Sequence, residues 1–331
     1  MTRHHARILV TGIGGQPGFD TARRLIQLGC TVIGVDADPH ANGLHLAGVI
    51  PRVCAHVEDP AYADQLLGLC RGEQVDALVS TVEQELPQLV PLAPALERIG
   101  VRSWLPPLAS VTACTDKDAF HRIVTAAGIA TPATWLPEQL DTVPVDAELV
   151  IKPRRGQGSQ GVIFCRGRDQ AQAACQVVAD PIVQARIRGR EFTADCLIDR
   201  DGRISVILRE RLLTKGGLAF VTRTTTNPLA DAAVRATLTA VEAIGLVCVQ
   251  GFLTDHTPAH QRVLITEVNA RPAGAFLAAE AAGADLIGQL LAGLLGDPVD
   301  HTRLTYRPGV TLTKYIDTLT VTNGANHAAA Q

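Results

Sequence analysis

From residue 6 to about 104, short apolar runs alternate with stretches of helical periodicity. Arg7–Thr11, Thr31–Val35, Val75–Ser80 and Val101–Trp104 read as strands, and residues 17–29, 60–71 and 84–99 between them as helices. Alternation of this kind predicts a parallel sheet with helices on its faces. Pro106-Pro107 marks a boundary, after which a helix capped by Thr115 or Asp116 runs to about Ala127. Leu149–Ile151 is an apolar run ending in Lys152, Val162–Cys165 reads as a second strand, and a helix near 168–178 leads into a strand over Pro181–Arg186. Phe192–Ile198 alternates with period two, turns through Asp199-Arg200-Asp201-Gly202 and returns over Arg203–Leu213. Thr214-Lys215-Gly216-Gly217 is predicted to begin a mobile loop that ends around Thr222–Asn227. A helix over 228–244 and a hairpin of strands 246–254 and 261–268 follow, and residues 320–331 read as frayed.

Composition narrows the classes. With 331 residues, 47% hydrophobic and 19% charged, the chain is globular and long enough for two or three cores. A net charge of -3 and 4% aromatics leave no electrostatic or stacking reason to expect nucleic acid. Eight cysteines, at 30, 54, 70, 114, 165, 175, 196 and 248, form no C-x-x-C pair and suggest buried thiols in a reducing compartment. No apolar run approaches the roughly 20 residues that span a bilayer, and no signal-peptide core precedes the first strand. The expectation is a soluble, cytoplasmic protein.

Chemistry concentrates between Leu149 and Val162. Glycines at 156, 158 and 161 bring bare N–H groups close to an anion, and Lys152, Arg154 and Arg155 add positive charge, so a nucleotide polyphosphate is the natural ligand. An exposed basic hairpin without a ligand is the bland alternative. A second glycine-rich turn, Gly12 to Gly18, includes Gly14 and Gly15 and precedes Asp36 at the end of the second strand. It looks like a dinucleotide fingerprint, which makes NAD(P)-dependent oxidoreduction a rival reading. Tyr62, Tyr306 and Tyr315 lack the lysine four positions on that such chemistry uses in short-chain dehydrogenases. The same turn can instead hold an anionic substrate at a helix N-terminus. Glu83 and Glu85, just past a strand end, suit a substrate ammonium group or simply a helix start. Lys117 begins a helix, where a cation is favoured only if it faces an anion. Glu267, Asn269 and Arg271 share one strand face, placing hard oxygen ligands beside a phosphate partner, as Mg²⁺–ATP requires.

Together these motifs resemble the ATP-grasp ligases, nearest in pattern to the carbamoyl-phosphate-synthase-like and biotin-carboxylase-like branch, from about residue 7 to 320. Lys-Pro-x-x-Gly-x-Gly-Ser-x-Gly-Val is similar to that family's phosphate-covering loop, Glu-x-Asn-x-Arg to its metal and phosphate motif, and Gly189-x-Glu191 to its ribose-binding element. The resemblance implies a Rossmann-like parallel-sheet domain over 1–110 that serves substrate. A two-part ATP-grasp fold over 111–185 and 186–320 and a flexible tail over 321–331 would follow. It assigns Lys117 and Lys152 to the ATP phosphates, and Gly156, Gly158, Ser159 and Gly161 to a lid. Gln184 and the backbone of Ala185, Arg186 and Ile187 would hold adenine, and Glu191 the ribose. Gln250, Glu267 and Asn269 would bind Mg²⁺, or Mn²⁺ in its place, and Arg271 the transferred phosphate or the substrate carboxylate. Gln250 stands where many members carry an acid, and Ala185 where relatives often carry Glu. Arg211, Lys215 and Arg223 flank or lie in the predicted loop and are candidates for contact with substrate or phosphate. Glu83, Gly14 and Gly15 are candidates for substrate. His121 and His256 are expected on a helix surface and in a hairpin turn. The implied activity joins a small, amino-acid-like carboxylate to an amine through an acyl phosphate, with small-molecule partners and a homodimer common among relatives. A non-catalytic ATP-binding regulatory protein is the further alternative.

Overall fold

The computed structural model describes residues 5–156, 158, 160–254 and 262–321. The N-terminal strands are β1 (Arg7–Thr11), β2 (Thr31–Asp36), β3 (Val49–Val53), β4 (Ala77–Val79) and β5 (Arg102–Ser103). They form a parallel sheet in the order β3-β2-β1-β4-β5. Helices α1 (Gln16–Gln27), α2 (Tyr62–Gly72) and α3 (Leu86–Arg98) make three of the four crossovers, as the apolar periodicity requires. A 3-10 turn over Asn42–His45 lies in the fourth, between β2 and β3. β3 escaped the sequence reading because Val49-Ile-Pro-Arg-Val53 is short and carries Pro51, and a proline is tolerated here because β3 is an edge strand.

Two helices follow, α4 (Leu108–Thr115) and α5 (Lys117–Ala126). Asp116 caps α5, its carboxylate accepting from the N–H groups of Asp118 and Ala119. β6 (Thr134–Trp135), β7 (Glu148–Pro153), β8 (Ile163–Arg166) and β9 (Pro181–Ala185), with α6 (Arg168–Cys175), build an antiparallel sheet in the order β6-β9-β7-β8. The remaining strands are β10 (Arg190–Ile198), β11 (Ile204–Lys215), β12 (Leu218–Thr224), β13 (Gly245–Leu253), β14 (Val263–Asn269) and β15 (Thr311–Thr313). They form an antiparallel sheet ordered β14-β13-β10-β11-β12-β15, with α7 (Pro228–Ala240) among the elements packed on it. The fold is thus α/β in its first part and α+β beyond, as read from the sequence.

The predicted mobile loop after Thr214 is corrected. Only Gly216 and Gly217 turn, both in the left-handed region, and Leu218–Thr224 pairs back on β11. Its β-branched and aromatic residues, Phe220-Val221-Thr222, suit a strand. α8 (Leu277–Ala281) and α9 (Leu286–Leu295) were likewise unread; Leu286–Leu294 is buried throughout, so α9 has no polar face to set a period.

Candidate active site

All three sheets meet around one cavity of about 900 Å³. Its walls are the glycine turn and strand ends of the parallel sheet, the β7–β8 hairpin, and one face of the antiparallel sheet containing β10. That face follows from alternation. On β10, Phe192, Ala194 and Cys196 enter the core, leaving Glu191, Thr193 and Asp195 on the other side. Directly paired positions share a face, so the register extends it into cross-strand rows. One row runs Arg209, Thr193, Gln250, Glu267, and the next includes Asp195, Cys248 and Asn269. A polar sheet face is costly unless its groups pair, and several of them do here. Asn269 Nδ2 donates to Glu267 Oε1 at 3.2 Å, and Arg271 donates to Asn269 Oδ1 at 3.2 Å. Arg211 donates to Gln250 Oε1 at 2.6 Å and lies 3.1 Å from Glu191 Oε1. Burial pushes the Glu191 carboxyl up, Arg211 draws it down, and Glu267 raises it.

Facing this sheet, Lys152 Nζ donates to Gln184 Oε1 at 2.9 Å, and Gln184 Nε2 donates to Thr134 Oγ1 at 2.9 Å. Burial lowers the Lys152 ammonium to about 8, with Glu267 opposing and Lys117 adding to the effect. Lys117 Nζ donates to the Gly156 carbonyl at 2.9 Å, so the first turn of α5 is tied to the root of the glycine hairpin. Arg154 and Arg155, expected to face an anion, anchor that root instead. Arg154 Nε lies 2.7 Å from Asp116 Oδ1, and Arg155 reaches Asp116 Oδ2 at 2.8 Å and Asp180 at 3.2 Å. Burial raises the Asp116 carboxyl, but the Arg154 hydrogen bond, the cap N–H and the two arginine charges hold it below its usual value. Gly158 and Gly161 have φ of +66° and +68°, a region closed to most side chains without strain.

On the N-terminal wall, Gly14 N–H donates to Asp36 Oδ2 at 2.8 Å. The carboxylate that would serve a ribose in a dinucleotide site is thus turned onto the glycine loop itself. Gly18 permits α1 to approach that loop, since a Cβ there would stand 2.3 Å from the Gly12 carbonyl oxygen. Glu85 lines the cavity and accepts from the Thr11 hydroxyl and, at 2.7 Å, from Tyr62. Glu83 lies behind the wall, accepting from Ala270 N–H at 3.2 Å, and burial pushes its carboxyl to about 7 against the opposing charge of Arg271.

Most of the residues singled out by sequence converge here. Gly14, Gly15, Lys117, Lys152, Gly156, Gly158, Gln184, Ala185, Arg186, Ile187, Glu191, Gln250, Glu267, Asn269 and Arg271 line the cavity. Ala185 and Arg186 N–H groups already donate to the carbonyls of Ala133 and Glu148, leaving Ile187 N–H without a partner among the described residues. Ser159 and His256 lie outside the described residues. Lys215 and Arg223 do not line the cavity: Lys215 stacks on Phe220 at the hairpin tip, and Arg223 pairs with Glu210 on the opposite sheet face. Their placement followed from the loop reading; Arg211, the third candidate of that group, does line the cavity, and Arg209 joins it there. His121 is half-buried on α5, away from the cavity. Arg209, Asp195, Thr193 and Tyr62 were missed. Polar residues at every second position, Glu191, Thr193 and Asp195 in β10 and Arg209 and Arg211 in β11, were the available signal for the first three; Tyr62, on α2, had none of this kind.

Comparison with known proteins gives this geometry a family. Residues 8–103 match the PylC-like N-terminal domain, and residues 114–275 match the ATP-grasp domain. Together the two matches account for most of the chain, which thus carries a PylC-like N-terminal domain followed by an ATP-grasp domain. Over 83 residues it is 34% identical to the D-alanine–D-alanine ligase of Fusobacterium nucleatum, a stretch of 25% of this chain and 28% of that enzyme, so the match spans under a third of that relative. The L-amino acid ligase of Bacillus licheniformis is similar in fold, with TM-score 0.72 and 20% identity over 92% of this chain and 78% of that one. N5-carboxyaminoimidazole synthetase from Staphylococcus aureus, solved with ADP, has TM-score 0.71 and 15% identity over 89% of this chain and 78% of that one. No helix among the described residues is long and apolar enough to cross a membrane.

Proposed function

We propose that this protein is an ATP-dependent, ADP-forming carboxylate–amine ligase. The observation that carries the reading is the meeting of Lys117, Lys152, Glu267, Asn269 and Arg271 in one cavity beside a glycine hairpin. ATP is the cosubstrate expected of the family, with its adenine against Val150, Phe164 and the free Ile187 N–H and its ribose at Glu191. Glu267 and Asn269 fit a divalent cation of the Mg²⁺ kind, which takes one or two protein oxygens and completes its shell from phosphate and water. Both amide oxygens in the set already accept from an arginine, Gln250 from Arg211 at 2.6 Å and Asn269 from Arg271 at 3.2 Å, and the shorter bond makes Gln250 the poorer fit. Such a cation supplies charge neutralisation to the phosphates.

The chain's own contribution is positioning and charge. Lys152 and Lys117 hold the phosphates, and Arg271 stands where the transferred group passes. A substrate carboxylate oxygen attacks the γ-phosphorus and ADP leaves; an amine then attacks the acyl carbon of the acyl phosphate and inorganic phosphate leaves. Closure of the glycine hairpin excludes water from that intermediate. Glu85 and the Gly14–Gly15 turn face the opposite wall, where an amino-acid-like substrate would present its ammonium group. The buried free thiols suit a reducing, cytoplasmic setting. The test is ADP release from the full chain, with Mg²⁺ and ATP, against a matrix of amino acids and small carboxylates. Specific pairs should release ADP and yield an amide, and Glu267→Ala should abolish the release; retention of full activity by that variant would overturn the reading.

A further inference from the structure

Two side chains on the sheet face have incomplete bonding: Arg211, whose Nε alone lacks a partner among the described residues, and Arg209, which is held by a single carboxylate. Arg209 is 1% exposed, lines the cavity, and its Nε and Nη2 donate to Asp195 at 2.8 and 3.2 Å. The third nitrogen, Nη1, has no partner among the described residues. A buried guanidinium held only for stability satisfies its donors, because a charged donor left unpaired away from water is costly. Asp195 fixes the plane of the fork by taking Nε and Nη2, and leaves Nη1 open in a residue that lines the cavity. The vacancy calls for an anionic oxygen.

The register says which anion. Asp195 is paired with Cys248, and Cys248 with Asn269, so the Arg209 guanidinium over Asp195 stands two strand spacings from Asn269, or about 10 Å along the sheet. Cys248 lies between, within the electrostatic reach of both Arg271 and Arg209. Lys152 and Lys117 already face the hairpin root, so the phosphates have their cations there. A gap of about 10 Å holds an acyl phosphate beside Asn269 and Arg271 together with one α-amino acid whose carboxylate reaches Arg209. We propose that Arg209, oriented by Asp195, binds the carboxylate of the amine substrate, and that this substrate is an α-amino acid. The proposal rests on the ligase reading and adds the identity of the nucleophile.

The test uses the full chain with Mg²⁺ and ATP, offering as amines a panel of amino acids and the same amino acids as carboxamides. In the wild type, blocking the carboxylate should raise the amine KM on the order of 10- to 100-fold, the loss of one charge-assisted hydrogen bond. In R209Q combined with D195N, a neutral pair that leaves no lone buried charge, acids and amides should become equivalent while the ATP KM holds. R209K should keep part of the preference. Carboxamides that serve the wild type as well as the acids would overturn the proposal. So would a double variant that loses ATP affinity by the same factor, since Nη1 would then serve phosphate. The acid–amide comparison in the wild type stands even if the variants fail to fold. Should no pair release ADP, the ligase reading fails. Calorimetric titration of the amino acids and carboxamides into protein loaded with a non-hydrolysable ATP analogue then decides on Arg209: binding of acids alone supports it, and equal or absent binding of acids overturns it.

Discussion

Two buried charges behave oppositely and can be told apart by pH. Burial holds the Lys152 ammonium at about 8 in the free protein, and a phosphate beside it favours the charged form. Binding therefore takes up a proton above that pH, and ATP affinity should fall as pH rises past 8. Titrations between about pH 7 and 9.5 should find this dependence in the wild type and lose it in Lys152→Arg, whose side chain stays charged. Lys152→Ala should cost ~1.5–3 kcal/mol of ATP binding, on the order of 10- to 150-fold. For Glu83 the folded state raises the carboxyl from 4.5 to about 7. Below 4.5 it is protonated in both states; above 7 it is ionised in both, at the folded state's expense. Stability from this group thus declines as pH climbs through that window, by up to about 3 kcal/mol. Glu83→Gln keeps the acceptor for Ala270 N–H and should be more stable than wild type at pH 8, with the difference vanishing near pH 4; thermal melts across that range check it. Lys152, Glu267 and Asn269 were legible because motif spacing names them. Arg209 was not, since an arginine in an apolar strand acquires meaning only once its neighbour across the sheet is known.

Elements whose local signals agreed were read correctly, and β12, where two signals conflicted, was not. α5 carries both an apolar period and a capping aspartate, and it appears where expected. β12 carries an alternating pattern, but Gly216-Gly217 before it invited a loop reading; the pair is only the hairpin turn. At α5 the cap does more than end a helix. Asp116 takes the two N–H groups of the first turn and both arginines of the hairpin root. Asp116→Ala should therefore lower stability by ~1–2 kcal/mol from the cap alone, visible in the urea midpoint. It should also loosen the hairpin, raising the ATP KM, whereas Asp116→Asn restores the cap and leaves the hairpin effect. Gly161→Ala tests the hairpin directly: its φ of +68° and a Cβ 3.0 Å from Pro153 Cγ predict impaired ATP binding with the rest of the fold unchanged.

At the scale of the whole molecule, the alternation of runs up to residue 104 sufficed for four strands of the parallel sheet, each beside an α-helix, and missed β3, which only a 3-10 turn joins to β2. The arrangement of the two antiparallel sheets around one cavity was accessible only through the family resemblance, since strand order such as β14-β13-β10-β11-β12-β15 depends on pairings distant in sequence. Burial of the cysteines has a consequence for how the molecule comes apart. Three apolar clusters hold buried thiols of their own: Cys30 in one, Cys165 in a second, and Cys54, Cys70, Cys114 and Cys196 in a third. Burial raises all six thiols above their ordinary values, so alkylating reagents reach them only when the surrounding cluster opens. Pulsed alkylation followed by peptide mass spectrometry should then read the opening of each cluster separately, with native sequence as the probe. If bound ATP clamps the cavity, labelling of Cys165, in the cluster packed beneath the hairpin, should slow more than labelling of Cys30.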